Sequence, residues 1–226
     1  MQKKKKYIAI GDIHGCIRSL AALLETLSAF DERVFVFVGD YIDRGPDSKG
    51  VIELLSDFSN SHECIFVRGN HEQMMLDAIH SGNFDLWLVN GGQETIRSYN
   101  ATINRFTIPP DHKKFLEETR YYHNTPDYLF VHGGIPPDLS VKEALQNRNL
   151  LQEFIWFRHH LEIEQNIWEK KVVFGHTPMS EPINENQKIG IDTGCVYSYM
   201  DTFSKLTAIK LPEEEFIFQE CLEYGN

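Results

Sequence analysis

Three short segments of this sequence place carboxylate, amide and imidazole side chains directly after apolar runs. They span residues 11–15, 39–45 and 68–72 and read GDIHG, GDYIDRG and RGNHE, while two later apolar runs each lead into a glycine-flanked histidine. The six candidate metal ligands in these positions are Asp12, His14, Asp40, Asn70, His132 and His176. Two ions ~3.5–4 Å apart neutralise charge, acidify a water and align a phosphate ester for in-line attack. The residues therefore predict a two-metal centre for phosphoester hydrolysis.

The spacing of these residues indicates how the ions would be shared. Asp12 and His14 are two positions apart, so in an extended backbone they project to the same face and can bind one ion together. Asp40 has two carboxylate oxygens and is the natural bridge between two cations. The mixture of nitrogen and oxygen donors favours Mn²⁺, with Fe or Zn as alternatives, over Ca²⁺ or Mg²⁺. The remaining histidines lack a strand-then-glycine setting and are not expected to be ligands.

The apolar runs are the elements that must position this chemistry. Residues 7–10, 34–38, 64–67, 128–131 and 172–174 are continuous apolar stretches rich in β-branched and aromatic residues. Such runs are typical of strands covered on both faces. Ligands in open α/β sheets bind outside the carboxyl ends of the strands, so the site residues are expected to converge there.

The rest of the chain fits one α/β domain spanning residues 1–226. Helical patterns follow the first two motifs, as in βαβ units. Residues 80–124 lack a strong strand pattern and are predicted to be a mostly helical insert that covers one side of the cleft. Short strands joined by turns are predicted near the end, around residues 189–191, 206–210 and 216–218.

Composition excludes several classes of protein. The 226 residues carry a net charge of −11, which argues against a nucleic-acid surface. No segment approaches the ~20 consecutive apolar residues that a membrane helix requires. The lysine run Lys3–Lys6 precedes the first strand without a signal-peptide pattern, and four widely spaced cysteines favour reduced thiols. A cytoplasmic enzyme without nucleic-acid or membrane partners is expected.

These motifs resemble those of the phosphoprotein phosphatase family of metallophosphoesterases, especially its short bacterial and bacteriophage lambda branch. The resemblance extends from Gly11 to about Cys195 and includes Trp156-Phe157-Arg158, Gly175-His176-Thr177-Pro178 and Ile191-Asp192-Thr193-Gly194. It implies a central β-sandwich flanked by helices, with metals at the carboxyl ends of the strands. Asp12, His14 and Asp40 would hold the first metal; Asp40, Asn70, His132 and His176 would hold the second.

The resemblance also implies roles for the remaining polar residues. Arg44 and Arg158, with Asn70, would bind the phosphate oxygens, a task that suits a guanidinium fork. His71 would protonate the leaving oxygen, and Asp43 would hold its tautomer while a metal-bridging hydroxide attacks phosphorus. His71 adjoins Asn70 and could instead only support that ligand.

The substrate class stays open at the level of sequence. Asp43 and Glu72 resemble the protein-phosphatase versions of the motifs, which favours a phosphorylated protein or peptide and a Ser/Thr phosphatase activity. The alternative is a symmetrical dinucleoside tetraphosphate hydrolase or a broad small-phosphoester phosphatase. An adenosine site in the insert, formed by Trp87, Arg97, Tyr99 and Arg105, would support the dinucleoside tetraphosphate hydrolase. The chain lacks the long C-terminal segment of the eukaryotic enzymes, so no regulatory subunit is implied.

Overall fold

The computed structural model describes residues 5–30, 32–200 and 202–224. Its strands within these residues are β1 (Tyr7–Ile10), β2 (Val34–Phe37), β3 (Cys64–Phe66), β4 (Tyr122–Asn124), β5 (Tyr128–Val131), β6 (Lys171–Phe174), β7 (Ile183–Glu185), β8 (Lys188–Gly190), β9 (Lys205–Leu211) and β10 (Glu215–Glu220). Its α-helices are α1 (Ile17–Leu27), α2 (Ser48–Ser59), α3 (Asn70–Ser81), α4 (Asp85–Trp87), α5 (Gln93–Ser98), α6 (Pro110–Glu118) and α7 (Val141–Gln146).

The strands form two five-stranded sheets. One has the order β10-β9-β1-β2-β3 and the other the order β4-β5-β6-β8-β7. In the first sheet β1, β2 and β3 are parallel, and in the second sheet β5, β6 and β8 are parallel. The remaining strands, β9, β10, β4 and β7, pair antiparallel with their neighbours. The expected β-sandwich flanked by helices is therefore confirmed.

Both faces of the central strands are buried, which explains their continuous apolar sequences. In β2, Val34 and Val36 face the opposite sheet and pack with Phe130 and Val173. Alternate residues of the same strand, such as Phe35, join a second core with the helices. A third core covers the outer face of the other sheet around Phe154, Trp168 and Phe174. A strand with no solvated face has no polar alternation, as the sequence indicated.

Residues 80–124 are mostly helical and include α4, α5 and α6. A π-turn at Leu88–Gly92 joins α4 to α5 and contains Gly91 at φ 100°. The segment ends in β4, a short strand that the sequence pattern did not indicate, and β4 pairs with β5 at the edge of the second sheet.

The lysine run at the start of the chain lies only partly within the described residues. Lys3 and Lys4 are outside them, whereas Lys5 pairs with Glu63 and Lys6 with Glu213 on the surface. Each helix in the described part of the chain is too short or too polar to cross a bilayer.

Candidate active site

The loops after β1, β2, β3, β5 and β6 carry the predicted site residues to one edge of the sandwich. Five of these residues have left-handed backbones, with φ of 46° at His14, 52° at Asp40, 72° at Asp43, 68° at Arg44 and 71° at His176. Such conformations are unfavourable for residues other than glycine and persist where the surroundings hold them. His14 is therefore not extended, so the extended backbone expected from Asp12 to His14 is not formed.

Hydrogen bonds to the backbone orient two of the predicted imidazole ligands. Nδ1 of His14 lies 2.9 Å from the carbonyl oxygen of Ile42, and Nδ1 of His132 lies 2.9 Å from that of Val38. Nδ1 therefore carries a proton in each ring, and Nε2 is directed toward the cluster. A backbone carbonyl that holds a metal-binding histidine in this way is a common supporting contact in metal sites.

Asp40 lies between these two histidines. Its Oδ2 is 3.4 Å from Nε2 of His14, and its Oδ1 is 3.3 Å from Nε2 of His132. His14 and Asp40 form one compact group of donor atoms with His71, and Asp40 and His132 form another with His176. The two oxygens of one carboxylate thus face different groups, which is the arrangement that a bridging ligand requires.

The donor atoms converge in a way that fits cations. Nε2 of His132 also lies 3.0 Å from Oδ1 of Asn70. Burial acts to lower the pKa of His132, but the neighbouring carboxylate of Asp40 outweighs burial and raises it. A positive charge is therefore favoured beside Asp40. Burial lowers the pKa of His14 and His176, which keeps both imidazoles neutral as metal binding requires. The residues present therefore fit two divalent ions that share Asp40.

Asp12 lies in the loop after β1, and its carboxylate belongs to neither of these two compact groups of donor atoms. Its carboxylate accepts the backbone N–H of His176 at 3.1 and 3.0 Å. Burial and the nearby carboxylates of Asp192 and Asp40 raise the pKa of Asp12 well above its usual range. A Cβ atom on Gly175 would lie 2.0 Å from Oδ1 of Asp12, so only glycine leaves room for it. Crowded carboxylates of this kind are relieved by a bound cation.

Each of the two predicted phosphate-binding arginines reaches one imidazole of the cluster. Nη1 of Arg44 lies 2.7 Å from Nε2 of His14, and Nε of Arg158 donates to Nε2 of His176 at 2.8 Å. Arg44 also lies over the ring of Tyr197. The two guanidinium groups therefore stand beside the places where a phosphate would meet the cluster.

His71 and Asp43 form a buried pair at the start of α3. Nδ1 of His71 lies 2.7 Å from Oδ2 of Asp43, and Nε2 of His71 has no hydrogen-bond partner among the described residues. Asp43 also accepts the indole N–H of Trp87 at 2.9 and 2.8 Å and the hydroxyl of Thr95 at 2.6 Å. Burial raises the pKa of Asp43, while these donors stabilise its charged form.

Two kinds of supporting residue are not predictable from the motifs. Trp87 and Thr95 come from the insert, and no pattern in the sequence connects them to Asp43. Glu72 was named only as part of a motif, yet its carboxylate accepts the backbone N–H groups of Asp40, Tyr41 and Gly69 at 2.9, 2.8 and 2.8 Å. A glutamate at the third position of a helix is a sequence signal for such capping.

This geometry defines a metal-dependent phosphoester hydrolase, and comparison with known proteins agrees. A family model described as calcineurin-like phosphoesterase matches residues 5–209. The chain therefore belongs to the calcineurin-like phosphoesterase family.

Its relatives differ in substrate. The chain is 30% identical to an asymmetrical bis(5'-nucleosyl)-tetraphosphatase, PrpE, of Oceanobacillus iheyensis, over 92% of this chain and 89% of the relative. It is 32% identical to serine/threonine-protein phosphatase 1 of Salmonella typhimurium, over 87% of this chain and 90% of the relative. The fold is similar to that of a cold-active protein-tyrosine phosphatase from Shewanella, with a TM-score of 0.63, 19% identity and coverage of 96% and 81%.

Proposed function

We propose that this protein hydrolyses phosphomonoesters on serine or threonine side chains of proteins or peptides. The observation that carries the proposal is the His71–Asp43 pair. Nδ1 of His71 is held by the carboxylate of Asp43, which in turn accepts hydrogen bonds from Trp87 and Thr95. Nε2 of His71 has no partner among the described residues and is therefore free to contact a reacting group. This arrangement suits a general acid that delivers a proton to a leaving oxygen.

The chemistry of the leaving group favours an alkyl ester. The hydroxyl of serine resembles that of water, whose pKa is ~15.7, so an expelled alkoxide needs a proton in the transition state. A phosphate leaving group, with a pKa of about 6, departs without one. A deeply buried and rigidly held acid is therefore of most use when the substrate is a serine or threonine phosphate.

The other residues have roles in binding. Arg44 and Arg158 would bind the phosphate oxygens in forked hydrogen bonds, and the amide of Asn70 would add a further contact to the phosphate. Asp12, His14, Asp40, Asn70, His132 and His176 would hold two divalent ions, for which Mn²⁺ is proposed and Fe or Zn are alternatives. When bound, these ions would supply charge neutralisation and an activated water. His71 then donates its Nε2 proton to the departing oxygen while Asp43 keeps the Nδ1 proton in place.

A side-by-side assay tests this proposal. The Mn-loaded protein is given a phosphoserine peptide, a phosphotyrosine peptide and diadenosine tetraphosphate, with His71→Asn as the test variant. His80→Asn, an exposed histidine on the same helix, is the matched control. We expect peptide turnover to exceed dinucleotide turnover and to fall ~10²–10⁴-fold in His71→Asn alone. Preferred cleavage of the dinucleotide would overturn the proposal.

A second candidate, dinucleoside tetraphosphate hydrolysis, is favoured by a cavity next to Arg44. This cavity of about 290 Å³ is lined by Tyr197, Tyr199 and Tyr224 together with Val89 and Asn90. Tyrosine rings beside a phosphate-binding arginine could stack a nucleobase. The insert residues expected for this role fit it less well, because Trp87 is fully buried and faces Asp43.

A substitution of Tyr199 distinguishes the two candidate functions, because this residue is 70% exposed and lies outside the metal cluster. If the cavity binds a base, Tyr199→Ala raises KM for diadenosine tetraphosphate at least ~5-fold, as expected from ~1–3 kcal/mol of stacking, and spares the phosphoserine peptide. Equal KM values for the dinucleotide in both proteins would reject a base-binding cavity. The products would distinguish symmetrical cleavage, which gives two ADP, from asymmetrical cleavage, which gives ATP and AMP.

The proposed partner is thus a phosphorylated protein or peptide, and the proposed location is the cytoplasm. The four cysteines, all free in the structure, are compatible with a reducing compartment.

A further inference from the structure

Three cysteines far apart in sequence meet at the amino end of α1. Sγ of Cys16, Cys195 and Cys221 and a carboxylate oxygen of Glu223 all lie within 4.8 Å of one another. The catalytic cluster uses none of these residues. Cys16 and Cys195 are buried, whereas Cys221 and Glu223 are half-buried, so the group can be reached from one side.

Each donor is held by a different part of the fold. Cys16 is the residue that precedes α1, and its backbone N–H donates to Ile13 at 3.0 Å. Cys195 begins the turn that follows the Asp192 loop, next to Gly194 at φ 68°. Cys221 follows β10 directly, and its backbone N–H bonds to Ser204 at 2.7 Å. The cluster is therefore a product of tertiary structure, with its backbone fixed at three points.

Glu223 is fixed in the same way at the start of the helix. Its Oε1 accepts the backbone N–H groups of Arg18 and Ser19 at 2.6 and 3.1 Å, and its Oε2 is 3.5 Å from Sγ of Cys221. Ser19 also donates its hydroxyl to Oε2. The positive end of an eleven-residue helix thus faces Glu223, and it favours negative charge on that carboxylate.

The donors match the requirements of a thiophilic ion. A tetrahedral zinc site has Zn–S bonds of ~2.3 Å, which places its sulfur atoms about 3.8 Å apart. Three sulfurs and an oxygen that are mutually within 4.8 Å need only small side-chain shifts to reach that geometry. Thiolate donors select zinc and similar soft ions over the Mn²⁺ that suits the catalytic residues.

We propose that Cys16, Cys195, Cys221 and Glu223 form a structural zinc site, separate from the catalytic centre. Four protein donors leave no open position, which is typical of a structural rather than a catalytic zinc ion. The ion would connect the segment that follows β10 to the two loops that carry His14 and Asp192, because Cys16 and Cys195 lie two and three residues beyond them. Zinc at this site would therefore restrict the motion of the loops that carry His14 and Asp192.

Cobalt(II) is the probe that tests this site, because a thiolate-to-cobalt charge-transfer band arises only where sulfur binds the ion. The predicted ligands of the catalytic centre are nitrogen and oxygen atoms and give no such band. Reduced, metal-free protein is titrated with Co²⁺ under anaerobic conditions, and Zn²⁺ is then added. We expect one equivalent of cobalt to produce the thiolate band with the intense visible bands of tetrahedral cobalt, and zinc to remove both.

Single substitutions locate the site. In Cys221→Ser the affinity of the thiolate-bearing site for Co²⁺ should fall at least about 100-fold. Loss of a residue that only hydrogen-bonds to a metal ligand already costs up to about 100-fold, and loss of a ligand itself should cost more. Cys64→Ser is the matched control, because Cys64 lies in β3 outside the cluster, and its titration should equal that of the unchanged protein. Circular dichroism checks that both variants are folded.

The inference is overturned if the unchanged protein gives no thiolate band, or if the band persists with equal affinity in Cys221→Ser. It is also overturned if alkylation without reductant finds two of the three thiols joined in a disulfide in the freshly purified protein. These results do not depend on substrate turnover, so they are independent of the proposed function.

Discussion

The indole of Trp87 offers the sharpest test of how the insert contributes to chemistry. Trp87→Phe keeps an aromatic ring in the buried position but removes the N–H that donates to both oxygens of Asp43. Thr95 and His71 then remain as side-chain donors to that carboxylate. We expect the carboxylate to lose part of its orientation and to hold His71 less firmly.

The size of the effect follows from the strength of the lost bond. A hydrogen bond to a charged group contributes ~1.5–3 kcal/mol, and each 1.36 kcal/mol corresponds to a factor of ten in rate. If the whole contribution were expressed in the transition state, kcat would fall by roughly 10- to 150-fold. Because His71 is needed most for a poor leaving group, this loss should occur with a phosphoserine peptide. An aryl phosphate, whose phenoxide has a pKa of about 10 or lower, should lose less than ~3-fold.

The assay measures kcat for both esters in the unchanged protein, in Trp87→Phe and in Trp168→Phe. Trp168 is the matched control, because it is also buried and its indole N–H donates to the carbonyl of Pro136 at 3.0 Å, away from Asp43. Equal losses for the two esters in Trp87→Phe would refute the reasoning. So would a selective loss of similar size in Trp168→Phe.

Three further outcomes are expected. Glu72→Gln leaves at least one of the backbone donors at Asp40, Tyr41 and Gly69 without an acceptor, so Tm measured by calorimetry should fall ~2–10 °C for a cost of ~1–3 kcal/mol; an unchanged Tm would contradict this role. Burial lowers the pKa of His160 to about 3. Above pH 6.5 the ring is neutral in both the folded and the unfolded protein, whereas between pH 6.5 and 3 only the unfolded protein binds a proton there, so the free energy of unfolding falls as the pH falls. Between pH 7 and pH 5, urea titration should therefore find that the protein loses about 2 kcal/mol more of its free energy of unfolding than His160→Phe does; parallel losses would exclude this histidine. A strong chelator should abolish turnover and lower Tm, and Mn²⁺ should restore turnover; turnover that survives complete chelation, verified by metal analysis, would contradict a metal-dependent site.

Much of the fold was predictable because its signals are local. Runs such as residues 34–38 are apolar at every position, and this pattern is typical of a strand that is covered on both faces, as β2 is. The short strands β4 and β7 were missed because three half-exposed residues at a sheet edge carry no comparable pattern. Their pairing depends on the neighbouring strand rather than on their own residues.

The sequence by itself determined which side chains could bind metals, because each follows its strand within a few positions. Only the tertiary structure decided which distant groups support them. Asp43 meets Trp87 across 44 positions and Thr95 across 52, and Cys16 meets Cys221 from the opposite end of the chain. Such contacts arise from the packing of helices and loops on the two sheets, and packing depends on shapes that no local pattern encodes.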